Sequence, residues 1–92
     1  MKKNDVITVV AVTGAEYVGK FDSEDSAALY VTDPHIVTPD GNNLGFMPTV
    51  AMTGAPGVSQ VKFRKTGIIT FVPTADEVVK QYVQATSGIV LQ

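Results

Sequence analysis

The run Val6-Ile7-Thr8-Val9-Val10-Ala11-Val12-Thr13 limits this chain more than any other segment. Its β-branched residues lose rotamer freedom in a helix and pack well on a pleated surface, so the run predicts a strand. Both faces of that strand are largely apolar, the pattern of a strand covered on both sides. Something else in the chain must therefore lie over its second face.

The segments that follow supply short strands separated by turns. Gly14-Ala15 offers the first reversal, and Glu16 to Phe21 alternates with Tyr17, Gly19 and Phe21 on one face. A glycine inside a strand marks a bend or a close backbone approach, so Gly19 points to a closed or strongly bent sheet. Asp22 to Ser26 is a polar turn, and Ala28 to Thr32 resumes the strand pattern. Residues 33–57 hold four of the five prolines and the turn cluster Pro39-Asp40-Gly41-Asn42-Asn43, which predicts a hairpin excursion. Pro48 makes its returning arm an edge strand or a broken one. Ser59 to Phe63 and Ile68 to Val72 complete five barrel strands. Thr74 and Glu77 have the spacing of a capping box and open an amphipathic helix expected over 74–87, where Val78, Val79, Tyr82 and Val83 recur at helical spacing. The tail Ile89-Val90-Leu91 is expected to pair as a strand or to pack on a neighbouring subunit.

Composition bounds the rest. Ninety-two residues predict one domain, and without cysteine neither disulfides nor thiolate metal sites can reinforce its modest core. Charged residues make up 17% of the chain, against roughly 25% in an average globular protein, so part of its surface is expected to meet another chain. A net charge of −2 argues against coating nucleic acid through a broad positive field. Met1-Lys2-Lys3 before an apolar run has the outline of a secretory signal, but Asn4 and Asp5 interrupt it and its core is β-branched, so a cytoplasmic setting is expected. No stretch approaches the ~20 apolar residues of a membrane span, and no membrane partner is expected.

Gly14, Gly19, Phe21 and Asp25, followed by the apolar run Ala27 to Val31, fall on the places of the first Sm motif, closer to its bacterial Hfq form. Phe63-Arg64-Lys65-Thr66-Gly67-Ile68 echoes the second motif, Ile-Arg-Gly-x-x-Ile, and Thr70 to Pro73 resembles the way Hfq closes. In these segments, under half its length, the chain resembles the Sm-like (LSm/Hfq-type) family. The resemblance implies a small five-stranded, strongly bent barrel, here with an inserted hairpin and a C-terminal helix. It implies assembly with copies of itself into a ring, and single-stranded RNA at the pore. The chain departs from the pattern where Leu29 replaces the uracil-binding asparagine, Ala27 the stacking residue and Lys65 the motif glycine.

Lys62, Arg64 and Lys65 are the one dense basic cluster away from the N-terminus. In the Sm-like reading, Arg64, Lys65 and Thr66 face the pore, where ring symmetry concentrates positive potential on a threaded strand. The plainer reading makes Lys62 and Arg64 the solvated face of a strand. Asp22, Glu24 and Asp25 lack the ligand spacing of a calcium loop and read as a solvated turn, with Asp25 ordering the adjoining loop, the role the resemblance implies for it. His35 stands alone, so no histidine pair, positioned base or phosphate loop can be assembled, and no enzyme, metal or cofactor is expected. It is expected at the surface or in an interface of the hairpin. Tyr17, Tyr30 and Tyr82 are expected mainly in the core. Phe46, Met47 and Met52 on the excursion are the candidates for an apolar contact with a partner. The expectation is thus a non-enzymatic ring subunit that binds single-stranded RNA, the alternative being a structural or adaptor module that binds no nucleic acid.

Overall fold

The computed structural model describes residues 1–87, so the tail Ile89-Val90-Leu91 lies outside the described residues. Six strands, β1 (Val6–Ala11), β2 (Glu16–Glu24), β3 (Ala28–Asp40), β4 (Asn43–Met47), β5 (Gln60–Arg64) and β6 (Ile68–Pro73), precede the helix α1 (Asp76–Ser87). They form one antiparallel sheet in the order β4-β3-β2-β1-β6, with β5 beside the first half of β3 and β4 beside its second half. The five strands expected for the barrel are β1, β2, the first half of β3, β5 and β6, and the expected hairpin adds a sixth to the same sheet. The sixth is β4, the returning arm of the excursion, which ends at Met47 just before Pro48 can interrupt the ladder. Gly41, at φ +63°, turns the hairpin between Asp40 and Asn43.

The three residues Lys65–Gly67, a single 3₁₀ turn, join β5 to β6 although these strands lie at opposite ends of the path β5-β3-β2-β1-β6. A flat sheet would hold them four strand spacings apart, about 19 Å. The chain from Arg64 to Ile68 reaches at most ~14 Å. The sheet therefore has to curl. The crossing is tied at both ends, since the Lys65 amide donates to the Ala27 carbonyl (2.9 Å) and the Val12 amide to the Gly67 carbonyl (3.0 Å). Curling stops short of closure: among the described residues β6 pairs only with β1 and β5 only with β3.

Bulges sharpen the bend. Between the pairs Val18↔His35 and Lys20↔Thr32, the single residue Gly19 spans the same stretch as Asp33 and Pro34, and Asp33 takes a φ of +53°. Asp22 and Ile69 are extra residues in β2 and β6 at two further shifts. A Cβ on Gly19 would lie 2.4 Å from Val31 Cγ1 and 3.1 Å from the Pro34 Cα. The close approach anticipated at Gly19 is thus where β2 meets the bulged β3. Gly19→Ala should lower stability by about 1–3 kcal/mol through overpacking, read as a shift of the urea midpoint at unchanged slope.

Inside the curl, Ile7, Val9, Phe21, Leu29 and Val31 form the core, with Tyr17, Phe63, Ile68 and Phe71 packed against it. Val18 and His35, paired across β2 and β3, are buried on the other face, where Tyr82 of α1 lies against the His35 ring. Tyr82 is the helix's anchor. It is fully buried, meets the His35 ring edge-on at 5.5 Å and donates its hydroxyl proton to the Asp33 carbonyl at 2.7 Å. The start of the helix is tied to β1 by the Thr8 and Thr74 hydroxyls, 2.9 Å apart, and by the Thr74 amide on the Val6 carbonyl. The first carbonyl acceptor of the helix is Ala75, which takes the Val78 and Val79 amides, so Thr74 stands outside the cap and the expected capping box with Glu77 does not form.

Burial, with a smaller contribution from the Asp33 charge, pushes the Tyr82 hydroxyl far above its usual range. A proton held more tightly in the folded state stabilises fully below the unfolded pKa, near 10, and this contribution fades as the pH rises beyond it. Unfolding free energy should therefore fall above about pH 10. Tyr82→Phe should remove that alkaline dependence at a cost of about 1 kcal/mol at neutral pH.

Candidate functional site

β5 alternates as a strand must, with Val61 and Phe63 turned inward and Lys62 and Arg64 outward and exposed. Arg64 ends the strand and Lys65 opens the 3₁₀ turn, so the basic residues sit where the chain crosses from one sheet margin to the other. Thr66 is exposed on the same turn. The cluster is nevertheless not uniformly free. Lys65 Nζ lies 2.7 Å from Glu24 Oε1, a contact made by the end of β2 against a residue 41 positions away. That leaves Lys62 and Arg64 as the outward charges of the cluster with no ion pair among the described residues.

Next to them stands an ordered acidic turn. Asp25 Oδ1 accepts the amides of Ala27 and Ala28, both at 2.8 Å, and Oδ2 accepts the Tyr30 hydroxyl at 3.2 Å. Those two amides, aided by the Tyr30 hydroxyl and the Lys62 charge, hold the Asp25 carboxyl below its ordinary value, and its hydrogen bond raises the Tyr30 hydroxyl in turn. Tyr30 stands opposite Lys62 in the β3–β5 register, so the Asp25–Tyr30 hydrogen bond and the Lys62 charge share the outer face. Glu24 and Asp22 serve elsewhere, the first on Lys65 and the second on Lys3 at 3.5 Å and on the Gln60 amide at 3.1 Å. Among the described residues no group of three or more side chains could hold a metal ion.

His35 is a correction. Expected at a surface or interface of the hairpin, it is only 4% exposed, with Nδ1 3.0 Å from the Asp33 carbonyl and its ring under Tyr82. β3 runs unbroken through Asp33 and Pro34, which carries His35 under the helix instead of out along a separate hairpin arm. Tyr17 packs edge-on against Phe63 at 5.3 Å, while Tyr30 stays half-exposed. The three apolar residues of the excursion separate. Phe46 turns to Tyr82 (6.3 Å), whereas Met47 and Met52 are exposed, Met52 at 93%.

Beside the crossing, Lys65, Ile68, Ile69, Thr70 and Phe71 line an open groove of about 340 Å³ along the unpaired margin of β6. Core-facing Ile68 and Phe71 are only partly covered there, and the bulged Ile69 is 64% exposed. A basic residue, the partly covered side chains of Ile68 and Phe71, and a strand edge without a partner among the described residues thus lie together. A strand edge of this kind presents backbone donors and acceptors that an extended chain can pair with. No family model matches the chain, and neither does any curated protein.

The basic cluster of Lys62, Arg64 and Lys65 and the Asp25 turn were visible in sequence, but the Glu24–Lys65 pair and the β6 groove were not. Asp25→Ala should release the Ala27 and Ala28 amides, measured as faster hydrogen exchange at those two positions with the β1–β2 amides unchanged.

Proposed function

We propose that this chain is a non-enzymatic subunit of Sm-like type, whose curled sheet is completed as a barrel in a homo-oligomeric ring. The observation that carries the reading is the pair of unpaired margins: β5 and β6 each leave one edge without partners among the described residues, on opposite sides of the same short crossing. A row of unpaired N–H and C=O groups is a template for another strand. A β5 edge meeting the β6 edge of the next copy is a heterologous contact, and it ends in a ring when the rotation closes. Ile69, exposed beside this edge, supports a contact that also buries hydrocarbon.

In that ring Arg64 and Thr66, with Lys62 behind them, face the pore and contact the phosphates of single-stranded RNA. A second reading, a structural or adaptor subunit whose pore binds nothing, is favoured by the Glu24 carboxylate on Lys65, which neutralises one of the three cations. Sedimentation equilibrium should return an integral multiple of the protomer mass, and a lone protomer at high concentration would remove the ring. The two readings separate on short single-stranded oligonucleotides titrated across salt. The RNA reading expects affinity that falls with salt and weakens at least tenfold in the double variant Lys62→Ala, Arg64→Ala, whereas absent or salt-insensitive binding leaves the structural subunit.

A further inference from the structure

Residues 41–61 contain no ionisable side chain, although the rest of the chain carries a net charge of −2. After β4 this stretch folds into an ordered loop over residues 48–59. The Thr49 hydroxyl donates to the Ala51 carbonyl (2.7 Å), and the amides of Gly54 and Gly57 donate to the carbonyls of Ala51 and Pro48, both at 3.0 Å. The Asp33 amide anchors the far end on the Ser59 carbonyl at 2.7 Å.

Two features stand side by side on this loop. One is a mostly apolar cleft of about 170 Å³ walled by Pro34, Pro48, Val50, Ala55, Val58 and Val61. The other is Met52, 93% exposed between the cleft residues Val50 and Ala55. An apolar cavity of ~150 Å³ is large enough for benzene, so the cleft has room for a methionine side chain, which is flexible enough to follow an irregular wall. The same chain therefore displays both a protruding apolar group and a socket that admits it.

Charge favours a second copy as the occupant. Two copies repel through their like net charge, and residues 41–61 let them meet on a stretch that itself carries no ion. Because the methionine and the cleft are neighbours, a two-fold axis between them lets both insertions happen at once, a contact that closes on itself. We propose that residues 48–59 are a two-fold self-docking surface in which Met52 of each copy enters the cleft formed by Pro34, Pro48, Val58 and Val61 of the other. This contact is separate from the β5 and β6 margins. It would join two rings face to face, or two protomers if no ring forms.

Sedimentation equilibrium of the full chain tests it. Met52→Asp, a change at an exposed position, should halve the mass of the wild-type assembly, whether a double ring becomes a single one or a dimer becomes a protomer. The second outcome would uphold the loop contact while removing the ring. As the chain has no cysteine, mixing Met52→Cys with Ala55→Cys copies under air oxidation should yield a 52-to-55 disulfide at least tenfold faster than pairing either with Thr13→Cys. A mass unchanged by Met52→Asp, a wild type that is already a lone protomer, or cross-linking no faster than with Thr13→Cys would overturn the proposal.

Discussion

Three residues joining the two ends of a five-strand path set the shape of this molecule. The link is too short for a flat sheet, so the sheet must curl, and curling places the apolar faces of β1, β2, β3, β5 and β6 around one small core. The bulges and Gly19 follow from the same requirement. A sheet bent this sharply brings β3 so close to β2 that no Cβ fits opposite Pro34, and the extra residues at Asp22 and Ile69 absorb the change of direction.

Curling also explains why a helix is needed. The outer face of β1 and β2 still carries Val6, Val10 and Val18, and in so small a domain leaving them wet would forfeit part of the available burial. α1 meets that side of the sheet through few contacts of high specificity. The Asp33 carbonyl, turned out by the bulge, accepts the Tyr82 hydroxyl and lies within reach of the His35 ring, so the irregularity that bends the sheet is also the socket that orients the helix. Packing and polar satisfaction thus converge on one residue in β3.

The candidate surface is what the curl leaves undone. Ending the sheet at β5 and β6 without pairing them exposes two strand edges, a strip of core and the basic strand end in one place. Electrostatics there is local. Lys65 answers Glu24 and Lys62 lies near the Asp25 turn, so the positive potential available to a ligand is carried chiefly by Arg64 and would need repetition by symmetry to become strong.

Much of this was legible in the residues themselves. β-branching and alternation named the strands, Gly19 announced the close approach, and the cluster around Gly41 announced the hairpin, because each depends on local backbone preference and side-chain period. The helix was legible to within two residues of its start, although Thr74 was assigned the wrong partner. What sequence could not supply were contacts between distant positions: β3 running through Asp33-Pro34 as one strand, His35 buried under Tyr82, Lys65 neutralised by Glu24, and the margins left free beside the crossing. Local preference determined which segments became strands, whereas the tertiary fold alone decided which of their edges and charges found partners, because those pairings depend on how far the sheet curls and not on any single segment.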